Sequence, residues 1–354
     1  MNKKNELEGG PFYKLLNKDI KELNGIIVSL FSVLFLVGVG FISYTLTNNS
    51  YALFGDSLTG SKIIEVEASL PSAVDTIIAK VGTGGLEEII HEADSTLQIG
   101  TTADITEYRY RGANPNNYVS FNNETWRIIG VFPTDDGTGN IENRIKIIRN
   151  DSIGTYAWNS NSYNNWAEAT LNTYLNNDYY NSLNSTSKSM IENAKYYLGG
   201  FQKLSAAVTK EEIYSNERKV ANNDNCTCPG AICQNCYFYS DNPINHTNKI
   251  AIMYASDFGY AAGGNCSQTL DNYDDSTCAN NNWLAQNEAF WILTPNAFGR
   301  VMGAFGESNF IGLGIQPPSQ LVKLYQILPV LYLSSDVMIT GGAGTSSDPY
   351  ILSK

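Results

Sequence analysis

The sequence predicts an α+β protein held by one N-terminal membrane helix. Three observations predict it: an uncharged apolar run at 25–47, short strand-like runs mixed with helical patterns without βαβ alternation, and Asn-rich loops carrying all six cysteines. The expected order is a cytoplasmic segment at 1–24, a transmembrane helix at 25–47, a membrane-proximal helical stalk at 48–105 and an extracellular mixed domain at 106–354.

From Gly25 the chain reads GIIVSLFSVLFLVGVGFISYTLT, with neither charge nor proline. Roughly 20 apolar residues in a helix cross a hydrocarbon core about 30 Å thick, and a helix pairs its own backbone groups there. Lys3, Lys4, Lys14, Lys18 and Lys21 precede the run, and no Lys or Arg follows until Lys62. By the positive-inside rule the N-terminus faces the cytoplasm and residues from Asn48 onward face outside. The expected localisation is the cell membrane, single-pass, with the membrane as partner of 25–47. The apolar core is longer than the about 7–15 residues of a signal peptide, and its exit lacks an A-x-A pattern. An uncleaved signal-anchor is favoured, with cleavage near Ala52 left open. No C-terminal L-P-x-T-G signal is present, so this run is expected to be the sole tether.

The formal net charge is −12. Residues 1–24 hold five lysines against Glu6, Glu8, Asp19 and Glu22, so the acidity belongs to the remainder. That balance argues against nucleic acid or anionic lipid as partner of the outer domain. Its polar surface is built from Asn, Ser, Thr and Tyr, which suits neutral ligands such as sugars; AT-rich codon usage yields the same bias.

The cysteines are Cys226, Cys228, Cys233, Cys236, Cys266 and Cys278. An even number outside the cytoplasm suits disulfides. Cys266 and Cys278 bracket a short polar loop and form a natural pair. The other four, in C-T-C-P-G-A-I-C-Q-N-C, fit two local disulfides better than a four-thiolate zinc site, for which C-x-C is tight.

Along the stalk, Ala73, Val74, Ile77, Ile78 and Val81 form one helical face and Leu86, Ile89, Ile90 and Ala93 another, with Gly82-Thr83-Gly84-Gly85 as a joint. From Glu107 the texture becomes strand-like. TWRIIGVF and NRIKIIR flank six polar residues and predict an antiparallel pair, Trp126–Phe132 with Arg144–Arg149. Trp166, Leu171, Leu175 and Tyr179 suggest one helix, and Met190, Ala194, Tyr197 and Leu198 a second. Strands are expected at Lys249–Tyr254, Ala289–Thr294 and Gln326–Leu333.

Catalytic residues do not stand out. His91 lies in the expected stalk and His246 in a loop, and neither has neighbours that make a nucleophile pair. No cofactor is expected; calcium at Asp271, Asp274 and Asp275 and zinc at the clustered cysteines are the alternatives. The acidic loop departs from the EF-hand pattern, since Tyr273 takes the third position. Trp126 and Trp291 lie in apolar strands and read as core. Trp158, Trp166 and Trp283 sit beside amides, with Asn282 and Asn296 nearby, and form the candidate ligand site. An aromatic face beside amides is one way to hold a sugar. The competing reading is that these rings anchor loops to the core.

WRIIG at Trp126–Gly130, KIIR at Lys146–Arg149, YASDFGY at Tyr254–Tyr260 and PVLYL…GGAGTSSDPY at Pro329–Tyr350 are similar, in this order, to motifs of a group of uncharacterised Gram-positive surface proteins. Their domain resembles the C-type-lectin-like fold shared with formylglycine-generating enzymes. The resemblance covers about 107–352 and implies a lectin-like domain, not an activity. Thr294-Pro295-Asn296 lacks the acid of the calcium-lectin triplet, no W-N-D occurs, and the last cysteine, Cys278, is too early for the copper-holding pair.

These readings lead to a surface-displayed recognition or adhesion protein binding a glycan or a partner protein. The alternatives are an extracytoplasmic carboxylate-dependent hydrolase and a structural envelope protein.

Overall fold

The computed structural model describes residues 71–354 apart from 162, 201–206, 228–235, 240, 265, 286–287, 297–299 and 306–311. The chain divides into two units between Leu70 and Pro71, and every described residue belongs to the second.

Six strands lie in the first half of this unit: β1 (Leu86–His91), β2 (Ile105–Tyr110), β3 (Tyr118–Phe121), β4 (Glu124–Asp135), β5 (Ile141–Arg149) and β6 (Thr155–Tyr156). The middle adds β7 (Ile191–Glu192), β8 (Ala194–Tyr197), β9 (Asn245–Asn248), β10 (Ile250–Ala251) and β11 (Phe290–Asn296). The end adds β12 (Arg300–Phe305), β13 (Gly312–Gln316), β14 (Tyr325–Gln326), β15 (Val330–Leu333), β16 (Met338–Gly341) and β17 (Tyr350–Ser353). The helices used below are α1 (Ala73–Ile78), α2 (Ser185–Met190), α3 (Lys210–Glu217), α4 (Ala255–Ala261) and α5 (Ser276–Ala279). A further helical run spans 170–182.

The main sheet has ten strands, with the path β10-β15-β5-β4-β3-β17-β16; β2 joins β4, β1 joins β2, and β7 joins β15. The pairing is antiparallel except for β17 against β3. A second sheet runs β13-β12-β11-β14-β6, and β8 with β9 forms a third.

The expected pairing of Trp126–Phe132 with Arg144–Arg149 is present as β4 and β5, with Trp126 opposite Arg149 and Phe132 opposite Arg144. Both strands are buried on both faces, so they read as apolar runs instead of alternating. Gly130 is required on β4: a Cβ there would lie 2.1 Å from the carbonyl oxygen of Tyr108, where β2 crosses. Trp126 and Trp291 are core, as expected.

The expected architecture needs correction. The described residues form a strand-rich mixed α/β fold, 35% strand against 21% helix, in place of an α+β lectin-like module on a stalk. Among the described residues there is no long helical stalk. Only α1 keeps the expected helix, capped by the Ser72 side chain on the Asp75 N–H, and its Ala73, Val74 and Ile77 enter the core. Gly82, Gly84 and Gly85 take positive φ and turn the chain back into β1. Leu86, Ile89 and Ile90 therefore sit on a strand paired with β2, and sheet pairing overrides their helical spacing. Among the described residues no helix is long and apolar enough to cross a membrane. The segments 1–24 and 25–47 and the first part of the expected stalk lie outside the described residues.

Smaller differences follow the same logic. The expected helix through Met190–Leu198 stops at Met190, and Ala194–Tyr197 pairs as β8 with β9. The expected strand Lys249–Tyr254 shortens to β10, followed by α4, whose seven residues are all buried. A helix buried on every side has no amphipathic period to read. His91 lies on β1 and His246 on β9, not in a stalk and a loop.

Candidate functional site

The turn between β3 and β4 consists of two residues, Asn122 and Asn123, both with positive φ (56° and 59°). Phe121 pairs directly with Glu124 across it. A two-residue hairpin favours this geometry because its twist matches that of the strands, and Asn tolerates the left-handed region better than most residues. Across from the turn, the Asn184 side chain caps α2 by accepting from the Ser187 N–H at 2.8 Å. The Asn184 N–H in turn donates to Oδ1 of Asn122 at 2.9 Å, tying helix to turn.

These elements and β17 enclose an open groove of about 400 Å³. Its apolar wall is Phe121, Met190, Ile351 and Leu352, and its polar rim includes Asn122, Asn123, Asn184 and Thr186. No lining residue is charged. The volume falls in the range of small-molecule sites, about 300–1,000 Å³. A groove with an apolar wall and amide and hydroxyl rim can hold a neutral ligand that presents C–H faces and hydroxyls.

A second cluster is wholly interior. Arg109 on β2 donates through Nε to Glu107 at 2.8 Å and through Nη1 to Asp257 at 3.2 Å. Lys146 on β5 contacts the other oxygen of Asp257. Tyr214 and His91 donate to and contact Glu107 at 2.8 and 3.2 Å. Glu217, at the end of α3, accepts from Thr294, Ser256 and Arg218. The Asp257 carboxylate also reaches back to the Tyr254 N–H at the start of α4.

Three cations thus face three carboxylates in a site almost closed to water. Burial pushes the Glu107 carboxyl up, but Arg109, the contact with His91 and Arg218 outweigh it, and the group lies below its ordinary range. Asp257 likewise lies low, since Lys146 and Arg109 overcome burial. For Glu217 burial prevails and raises the carboxyl above its ordinary value. Burial holds the Lys146 amine low. None of these side chains lines the groove; the contacts of Tyr214 with Glu107 and of Asp257 with Arg109 and Lys146 tie α3 and α4 to the main sheet.

The candidate residues from the sequence lie elsewhere. Trp158, Trp166 and Trp283 are all buried. Trp158 packs 5.4 Å from Trp166, centroid to centroid, and Trp283 donates to the Tyr110 carbonyl oxygen at 2.7 Å and stacks on Arg127. Asn282 is buried and donates to the Phe258 carbonyl oxygen, and Asn296 is buried at the end of β11. These five residues do not converge on an open surface. The groove residues carry a faint sequence signal: Asn122-Asn123, a residue type that tolerates positive φ, separates YVSF from TWRIIGVF.

Among the described residues two disulfides are present, Cys226–Cys236 and the expected Cys266–Cys278. With Cys226 and Cys236 bonded to each other, a four-thiolate zinc site is not formed; Cys228 and Cys233 lie outside the described residues. Asp271 accepts from the Thr269 hydroxyl, Asp275 caps α5, and Asp274 is exposed. Among the described residues no three His, Cys, Asp or Glu side chains gather to hold a metal.

Compared with known proteins, the chain matches no family model, no curated protein and no solved structure.

Proposed function

We propose that this unit is an extracytoplasmic recognition domain that binds a neutral, hydroxyl-rich ligand, a glycan being the class that fits, in the groove between the Asn122-Asn123 turn, α2 and β17. The observation that carries the reading is a groove of about 400 Å³ with amide and hydroxyl groups on its rim and no charge in its lining. An ionic ligand has no partner there. The two disulfides support a compartment where thiols oxidise. Attachment to a membrane through 25–47 is supported by the sequence alone, from the length of the run and the lysines before it.

The test is a screen of the purified full chain against neutral glycans, cell-wall polymers and their charged counterparts. The reading expects binding to a neutral member and its loss in Thr186→Lys, which puts a charged side chain on the exposed rim. Binding that is confined to charged polymers, or that survives Thr186→Lys unchanged, contradicts it.

A further inference from the structure

Lys146 and Asp257 meet in a dry part of the molecule. Both side chains are 1% exposed, and Nζ of Lys146 lies 2.5 Å from Oδ2 of Asp257. The rings of Tyr254, Tyr332 and Phe132 surround the amine at 4.4, 5.4 and 5.7 Å. On the other side of the carboxyl, Arg109 donates to Oδ1 at 3.2 Å. The fold therefore brings together a primary amine on β5 and a carboxyl on α4, more than a hundred residues apart in the chain. A fixed cation sits on one carboxyl oxygen, and solvent is excluded.

We propose that this pair condenses to an intramolecular amide, a covalent cross-link between β5 and α4. Nζ of Lys146 forms a bond to Cγ of Asp257, and the Cγ–Oδ2 bond breaks. Two of the three ammonium protons pass to Oδ2, which leaves as water, while Oδ1 remains as the amide oxygen. An ammonium and a carboxylate become a neutral amide and water, so atoms and charge balance without an oxidant, reductant or co-reactant.

Each neighbour has a part in this step. Nζ and Oδ2 already share a hydrogen bond, which sets the group that gives up the protons beside the oxygen that leaves. Negative charge gathers on Oδ1 as Nζ adds, and the Arg109 guanidinium is placed there as an oxyanion donor. Burial holds the Lys146 amine below its ordinary range, which favours the nucleophilic neutral form. Burial also favours the neutral acid at Asp257, but Lys146 and Arg109 outweigh it, so Oδ2 takes its protons as the new bond forms.

The charge balance of the interior survives the reaction. Before it, Arg109, Lys146 and Arg218 face Glu107, Asp257 and Glu217; after it, two cations face two carboxylates. No ion is stranded, and one buried ion pair with its desolvation cost is removed. The hydrogen bond from the Tyr254 N–H to Oδ2 is the contact that the product gives up.

The experiment is peptide-level and intact mass spectrometry of the full chain, denatured and with disulfides reduced. The proposal expects a mass one water below that of the sequence and a branched peptide joining the segments that contain Lys146 and Asp257. Lys146→Arg keeps a cation but offers no comparable nucleophile, and it should restore the full sequence mass. A wild-type chain at full mass overturns the proposal, as does a water loss that persists in Lys146→Arg. The wild-type measurement does not depend on any variant folding.

Discussion

Replacing Arg109 with Met tests whether the interior charges are held as an interlocked set. The guanidinium is buried, joins Glu107 to Asp257, and lies 4.6 and 4.7 Å from the rings of Phe132 and Tyr260. Without it, the buried carboxylates outnumber the buried cations by one, with Glu107 and Glu217 left to Arg218. Breaking a buried pair by removing one partner costs about 3–5 kcal/mol, a large part of the about 5–15 kcal/mol that holds a domain together. With a urea slope of about 1–3 kcal/mol per molar, the unfolding midpoint should fall by about 1–5 M. Tryptophan fluorescence is a suitable probe because all five tryptophans are buried. Adding Glu107→Gln to Arg109→Met restores equal numbers of cations and carboxylates, and it should recover part of the loss. A midpoint shift below about 0.3 M with unchanged slope, or a double variant worse than the sum of its parts, would refute the reasoning.

Other perturbations follow from the same contacts. Glu107 is held below its ordinary value of 4.5, so its contribution is full above that value and is lost as pH falls through and below it. Glu217 is raised, acts in the opposite sense and opposes the trend. Urea midpoints measured between about pH 6 and pH 3 should fall on the acid side, with a shallower acid limb in Glu107→Gln. Opening the Cys266–Cys278 bridge by double substitution to serine should cost about 2–4 kcal/mol; a midpoint equal to that of the oxidised wild type would contradict a stabilising role. Gly130→Ala places a Cβ against the Tyr108 carbonyl and should cost about 1–3 kcal/mol or more by parting β2 from β4, which urea unfolding would read directly.

The sequence was most informative where local signals and tertiary demands agreed. TWRIIGVF and NRIKIIR are rich in β-branched residues and are joined by a polar loop, and they form β4 and β5. Cys266 and Cys278 pair as their spacing suggests. The signals failed where long-range packing decided the outcome. Leu86, Ile89 and Ile90 keep a helical spacing, yet pairing with Ile105–Tyr110 makes them a strand, and Ile90 ends up exposed. YASDFGYA shows no helical stripe because α4 is enclosed on every side. The interior charges were hidden for a related reason: Glu107 and Arg109 on β2, Lys146 on β5, Glu217 on α3 and Asp257 on α4 come from four separate elements, and only the folded chain brings them together. For the tryptophans, neighbouring amides suggested an open ligand site, whereas Trp283 spends its N–H on a backbone carbonyl in the interior. The groove instead uses amides from a hairpin turn and a helix cap, positions usually explained by backbone geometry alone.

Hydrogen exchange of the full chain, with and without the neutral glycan that binds best in the screen, tests the groove most directly. The account predicts ligand-dependent protection of the amides around 120–123, 184–190 and 351–352, the segments that line the groove. Protection centred instead on the segments around Trp158, Trp166 and Trp283, with none around Asn122 and Asn184, would contradict it.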